Sequence, residues 1–176
     1  SSDVCSSDLF KRVHIRAMEN FDDGEEATAM QIVSDFRHLR LSGADPKLVV
    51  IDYLGLMEHE ESKGNLASAI GKTTRILKKL AGRWKIPVVL LCQVSKDVLK
   101  RSDARPVLSD LRDSGHIEQD ADLVLFIYRD DHAKGGNGDA AHKGIAELII
   151  AKNRSGVSGI IRMVDKTMFY KLENLK

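Results

Sequence analysis

Two short apolar runs, each stopping at a polar residue, constrain this chain more than any other feature. Leu48-Val49-Val50-Ile51 ends at Asp52, and Val88-Val89-Leu90-Leu91-Cys92 ends at Gln93. Uniformly apolar, partly β-branched runs of this length suit strands buried on both faces, as in parallel sheets. Between them, Asn65 to Trp84 sets Leu66, Ile70, Thr73, Leu77, Leu80, Ala81 and Trp84 on one helical face. Lys72, Arg75, Lys78, Lys79 and Arg83 fall largely elsewhere around that helix. The order strand, helix, strand points to an α/β sheet.

The flanking segments extend this reading. Upstream, Val13-His14-Ile15 is a short strand candidate, and Glu25 to Leu41 has a near-helical period that Ser42-Gly43-Ala44-Asp45-Pro46 stops. Downstream, Leu123 to Tyr128 is a third buried strand, followed by a glycine loop at Gly135, Gly136 and Gly138. Ile145 to Lys152 and Gly159 to Val164 form a hairpin around Ser155-Gly156, and Phe169-Tyr170 is a candidate last strand. These closing strands leave no room for crossover helices, so the sheet should end in an antiparallel edge. The 176 residues fit one domain, with no internal repeat. Residues 1–9, where Ser-Ser-Asp occurs twice, read as an unstructured, non-native leader resembling translated adapter sequence. The domain is then 10–176.

Composition narrows the function. There are 27 Lys and Arg against 26 Asp and Glu, a net charge of +1, which argues against a polybasic protein but allows a local basic patch. Cys5 and Cys92 make neither a disulfide framework nor a metal-ligand spacing, which favours a reducing compartment. No apolar run approaches the ~20 residues of a membrane span, and no signal peptide opens the chain.

Several positions invite chemistry. Asp52 closes a strand where open parallel sheets bind ligands, and a carboxylate there can hold Mg²⁺ through its water shell and so bind a nucleotide phosphate. It could equally be a phosphoacceptor or a turn cap. Gln93 should lie at the same sheet edge, able to sense a γ-phosphate or simply to anchor its loop. Ile70-Gly71-Lys72-Thr73 mimics the tail of a phosphate loop, but the required first glycine is Leu66 and the helical period runs straight through Gly71. Lys72 is therefore read as a solvated helix residue. Ser95 to Pro106 carries Lys96, Lys100, Arg101 and Arg105 against Asp97 and Asp103, which suits either a phosphate-tracking loop or a plain solvated one. Lys152 and Arg154 point to one side if their strand continues, so they could converge on a phosphate. Two exposed cations beside a turn is the simpler reading. His132 and His142, with Asp130, Asp131 and Asp139 nearby, read as a mobile polar loop rather than a metal site.

Taken in order, four blocks form a recognisable pattern: Leu48 to Met57; Pro87 to Gln93; Ser109-Asp110-Leu111-Arg112-Asp113-Ser114-Gly115-His116-Ile117-Glu118-Gln119-Asp120-Ala121-Asp122, leading into Phe126 to Asp130; and Ala151-Lys152-Asn153-Arg154-Ser155-Gly156. From about Lys47 to Leu172 the chain resembles the C-terminal ATPase domain of DnaB-type replicative helicases. The resemblance implies a RecA-like fold: a mostly parallel sheet flanked by helices, with antiparallel hairpin strands at the C-terminal edge. It also implies an ATP- and Mg²⁺-dependent helicase that works as a homohexameric ring on single-stranded DNA in the cytoplasm. Primase and helicase loader would be partners through regions the chain does not contain.

Carried over residue by residue, Asp52 would be the Walker B aspartate that binds the metal and nucleotide. Gln93 would couple the γ-phosphate to DNA. Arg112, Asp113 and Gly115 would contact DNA, and Lys152 and Arg154 would act on ATP held by a neighbouring subunit. Gly55, Cys92 and Asp113 stand where the family usually has glutamine, serine and glutamate, and Val94-Ser95-Lys96 is not the common form. The phosphate loop and catalytic glutamate would lie upstream of these residues, so the chain alone is expected to be inactive. A RecA-like recombination ATPase, a phosphoacceptor receiver domain and a non-enzymatic ring remnant are the alternatives.

Overall fold

The computed structural model describes residues 13–15, 27–59, 65–111, 115–133, 143–169 and 171–175, except the side chains of 132 and 167. Helix α1 (Ala29–Leu41) starts where the Thr28 hydroxyl accepts from the Gln31 N–H at 3.1 Å, and it stops before Gly43, whose φ is +88°. Strand β1 (Val49–Ile51) leads to α2 (Leu66–Trp84), capped by Asn65, which accepts from the Ser68 N–H at 3.1 Å. Helix α2 returns the chain to β2 (Val88–Leu90), which pairs in parallel with β1, Val49 opposite Val88 and Ile51 opposite Leu90. A six-residue helix, α3 (Gly115–Asp120), then enters β3 (Leu123–Tyr128). After the short α4 (Asp130–Ala133), β4 (Ile145–Asn153), β5 (Gly159–Lys166) and β6 (Lys171–Asn174) add in sequence to β3 as an antiparallel sheet.

The expected α/β class and antiparallel edge are present, though the proportions are particular. Among the described residues the only parallel pairing is β1 with β2, and the larger sheet, in the order β3-β4-β5-β6, is antiparallel throughout. Two expected strands differ. Residues 13–15 carry no strand and are exposed, Ile15 by 74%, and no strand among the described residues pairs with them. Of the expected strand Phe169-Tyr170, Tyr170 lies outside the described residues and Phe169 ends a 3-10 turn (Thr167–Phe169), while a strand begins at Lys171, placed by pairing with β5, where Asp165 faces Leu172. The glycines at 135, 136 and 138 and the leader at 1–9 lie outside the described residues.

The core forms on one face of the strands. Ile51 on β1 and Val124 and Phe126 on β3 join Ala29 of α1, Ile70 and Leu77 of α2 and Ile117 of α3 in one apolar cluster. Each buried Val, Leu, Ile or Phe among them stabilises the fold by roughly 1.5–3 kcal/mol. Burial along β3 alternates strictly, with Val124, Phe126 and Tyr128 inside. The other face stays open: Val50 is 56% exposed and Ile127 64%, so these strands are not buried on both sides as their composition suggested. Helices α1, α2 and α3 all contribute to this one cluster.

Candidate functional site

The parallel pair sets the first part of the site. Backbone hydrogen bonds continue past both strand ends: the Leu91 N–H donates to the Ile51 carbonyl at 3.0 Å, and the Leu54 N–H to the Leu91 carbonyl at 2.9 Å. Asp52 and Gln93 therefore leave the sheet at the same, carboxyl, end, and both are exposed. The Asp52 carboxylate makes no hydrogen bond or ion pair among the described residues. A carboxylate left free in this place fits Mg²⁺, which keeps most of its water shell and takes one or two carboxylates together with substrate phosphates. Nothing suits a closed protein cage for a metal: no group of three or more His, Cys, Asp or Glu is close enough among the described residues. Next to Asp52 the Tyr53 ring lies so near Gly55 that a Cβ there would sit 2.6 Å from Cε2, so a larger residue at 55 requires the ring to move.

Gly71 has a packing explanation. It is buried inside α2, and a Cβ on it would lie 2.6 Å from Cγ of His116, the second residue of α3. The glycine lets two helices approach, while Lys72 beside it is exposed, as the uninterrupted helical period implied.

Lys152 and Arg154 come together, on the last turn of α3. Lys152 Nζ donates to the Glu118 carbonyl. Arg154 Nη2 donates to the Gln119 carbonyl at 2.7 Å, and its Nη1 meets Asp122 Oδ1 at 3.2 Å. Both cations thus satisfy carbonyls that a helix end leaves without partners, where positive charge is also favoured by the helix dipole. Asp122 binds Lys78 of α2 through its other oxygen. The Lys78 hydrogen bond, and then Arg154, hold the Asp122 carboxyl below the usual carboxylate range. These contacts are intact above the ordinary aspartate pKa and loosen only in acid, as pH falls through the lowered value. No hydrogen bond or ion pair among the described residues joins Lys152 or Arg154 to Asp52 or Gln93.

Gly115 opens α3, and Arg112 and Asp113 lie outside the described residues, as do Asp139 and His142. In the Ser95 to Pro106 loop the cations are engaged. Lys100 pairs with Asp97 at 2.6 Å, Arg101 with Asp110 at 2.6 Å, and Arg105 with Glu147 at 2.6 Å. Only Lys96 of the four lacks an ion pair among the described residues, so the loop offers no continuous free cationic track. The anchoring partners Asp110, Asp122 and Glu147 carried no sequence signal for this role: Glu147 lies 42 residues from Arg105, and Asp122 lies 32 from Arg154.

An α/β sheet that presents an aspartate and a glutamine at the carboxyl end of adjacent parallel strands has the layout of a nucleotide-binding ATPase domain. Residues 8–174 match the family model described as the DnaB-like helicase C terminal domain, and the chain belongs to that family. It is 39% identical over 154 residues to "Replicative DNA helicase DnaB" of Pasteurella multocida, covering 88% of this chain and 32% of that protein. It is 43% identical over 130 residues to the protein of the same name from Geobacillus stearothermophilus, covering 73% of this chain and 28% of that one. The chain thus spans about a third of the length of these relatives. Two solved structures superpose with a TM-score of 0.77 at 36% identity over 89% of this chain. One is an isolated ATPase domain, of which 54% is covered. The other is "The Structure Of A DnaB-Like Replicative Helicase And Its Interactions With Primase", of which 37% is covered. The fold is that of these helicase ATPase domains, which sets aside the receiver-domain alternative, and the family match sets aside the recombinase one. No helix among the described residues is long and apolar enough to cross a membrane.

Proposed function

We propose that this chain forms the distal part of the ATPase domain of a replicative DNA helicase, a homohexamer that uses ATP and Mg²⁺ to move on single-stranded DNA and unwind duplex. The observation that carries this reading is the family match over residues 8–174 with an uncommitted Asp52 and Gln93 at one sheet edge. Asp52 would hold Mg²⁺ through its water shell, and the Gln93 amide would hydrogen-bond the γ-phosphate without adding charge. Lys152 and Arg154 would neutralise charge developing on a nucleotide bound by the next subunit. The half-exposed apolar strand face supports the partial character of the unit, as does the coverage of only 54% of a solved ATPase domain. A primase and a helicase loader are the protein partners this reading implies, and the cytoplasm its location.

Asp52→Asn in the complete subunit tests the reading. Single-stranded-DNA-stimulated ATP hydrolysis should fall to background while rings persist on sizing. Hydrolysis at the wild-type rate would refute the Walker B role. The 176-residue chain by itself contains no phosphate-loop motif and should show no ATP turnover above buffer with Mg²⁺ and DNA. Reproducible turnover that disappears in Asp52→Asn would overturn that expectation and the account of Lys72.

The DNA contact has its own test. Arg112→Ala should weaken single-stranded DNA binding alike for all sequences and reduce the salt dependence by about one phosphate contact. A loss confined to one base composition would contradict a backbone contact.

A further inference from the structure

Arg154 is fixed to one short stretch of chain by three hydrogen bonds. Its backbone N–H donates to the Asp122 carbonyl at 2.9 Å, Nη1 to Asp122 Oδ1 at 3.2 Å, and Nη2 to the Gln119 carbonyl at 2.7 Å. That stretch is itself fastened to α2. The Thr74 hydroxyl donates to Asp120 Oδ2 at 2.7 Å, and Lys78 takes the second oxygen of Asp122. Asp122 is therefore the one side chain among the described residues that bridges the guanidinium to α2. A guanidinium has five N–H donors, and its two side-chain contacts occupy two of them. The Arg154 side chain is 49% exposed, so it can keep both contacts and present its remaining donors to a phosphate. Exposed ion pairs add little to stability, whereas fixing a long, rotamer-rich side chain in one place matters greatly to a group that must meet a developing charge.

We infer that Asp122 is a positioning residue for Arg154, holding the guanidinium on the end of α3 in the orientation in which it meets the neighbouring subunit's nucleotide. This rests on the reading of Arg154 as a residue acting in trans. The arrangement also sets that guanidinium one six-residue helix, about 9 Å at 1.5 Å per residue, from Gly115, one of the proposed DNA contacts. A residue spacing of 32 hides the link in the sequence, and Lys78 and Thr74 complete it from a third element.

The test is a double-mutant cycle in the complete hexamer, with kcat and KM for ATP measured at saturating single-stranded DNA for Asp122→Ala, Asp122→Asn, Arg154→Ala and the Asp122→Ala/Arg154→Ala pair. Asp122→Ala should lower kcat about tenfold with KM within about twofold, and in the Arg154→Ala background it should add no further loss. Asp122→Asn, whose amide oxygen can still accept from Nη1, should recover most of the rate. If Asp122→Ala fails to form rings, Asp122→Ser, too short to reach the guanidinium, carries the same expectation. Wild-type kcat in Asp122→Ala, or losses that multiply in the double variant, would overturn the assignment while leaving the finger reading intact. Wild-type kcat in Arg154→Ala would instead remove the finger reading and this inference with it.

Discussion

Replacing Arg105 with alanine should destabilise the chain by about 3–5 kcal/mol, the cost of removing the two-pronged partner of a buried carboxylate. Glu147 is 4% exposed on β4, and Arg105 grips it through Nε at 2.6 Å and Nη2 at 3.0 Å. The same guanidinium lies 5.2 Å from the centroid of the Tyr128 ring, whose hydroxyl donates to Asp130 at 2.7 Å. Burial, and then that hydrogen bond, push the Tyr128 phenol up to about 12, so it remains a neutral donor across physiological pH. Arg162, at 3.6 Å from Glu147, takes up only part of the charge. Equilibrium denaturation should show the full loss for Arg105→Ala and a much smaller one for Arg105→Met combined with Glu147→Leu, which removes both charges and keeps volume. A shift under about 0.5 kcal/mol for the single change, the range of ordinary surface substitutions, would mean the pair does not anchor the basic loop to the sheet.

Arg154→Ala should separate catalysis from stability. In the complete hexamer we expect ATP hydrolysis to drop by about 10³-fold or more, in line with the 10³–10⁵ supplied by arginine fingers of GTPase activators. Stability should change by less than about 1 kcal/mol, because the ion pair with Asp122 is exposed on both sides. Thermal melts and steady-state rates on the same preparation check both halves. A large loss of stability with hydrolysis retained would make Arg154 a helix-end clasp and nothing more.

Local order was legible where one element explains itself. The α2 stripe from Ile70 to Leu80, its Asn65 start and the hairpin around Ser155-Gly156 follow from periodicity, capping and turn chemistry, which act over a few residues, whereas the one-sided burial of the uniformly apolar β3 does not. The common sheet edge of Asp52 and Gln93 followed as well, because parallel strands put their carboxyl ends together. Features set by distant partners were not legible. Strand β6, Lys-Leu-Glu-Asn, has no β-branched residue and exists because β5 offers an edge. The basic loop read as free charge, yet its cations are taken up by Asp97, Asp110 and Glu147, the last of them on another sheet strand. The sequence already set Gly71 aside as a phosphate-loop residue, but its close packing against His116 is created only by the fold.

Subunit mixing tests the central claim most directly. Arg154→Ala subunits are combined with subunits whose phosphate-loop lysine is replaced, each inactive alone, and ATP hydrolysis is followed with ring formation confirmed by sizing. If Arg154 serves the neighbouring subunit's nucleotide, some interfaces in mixed rings join an intact phosphate loop to an intact Arg154, and part of the activity returns. If Arg154 serves its own subunit, no mixed ring contains a complete site, and activity at background in assembled rings would contradict the account.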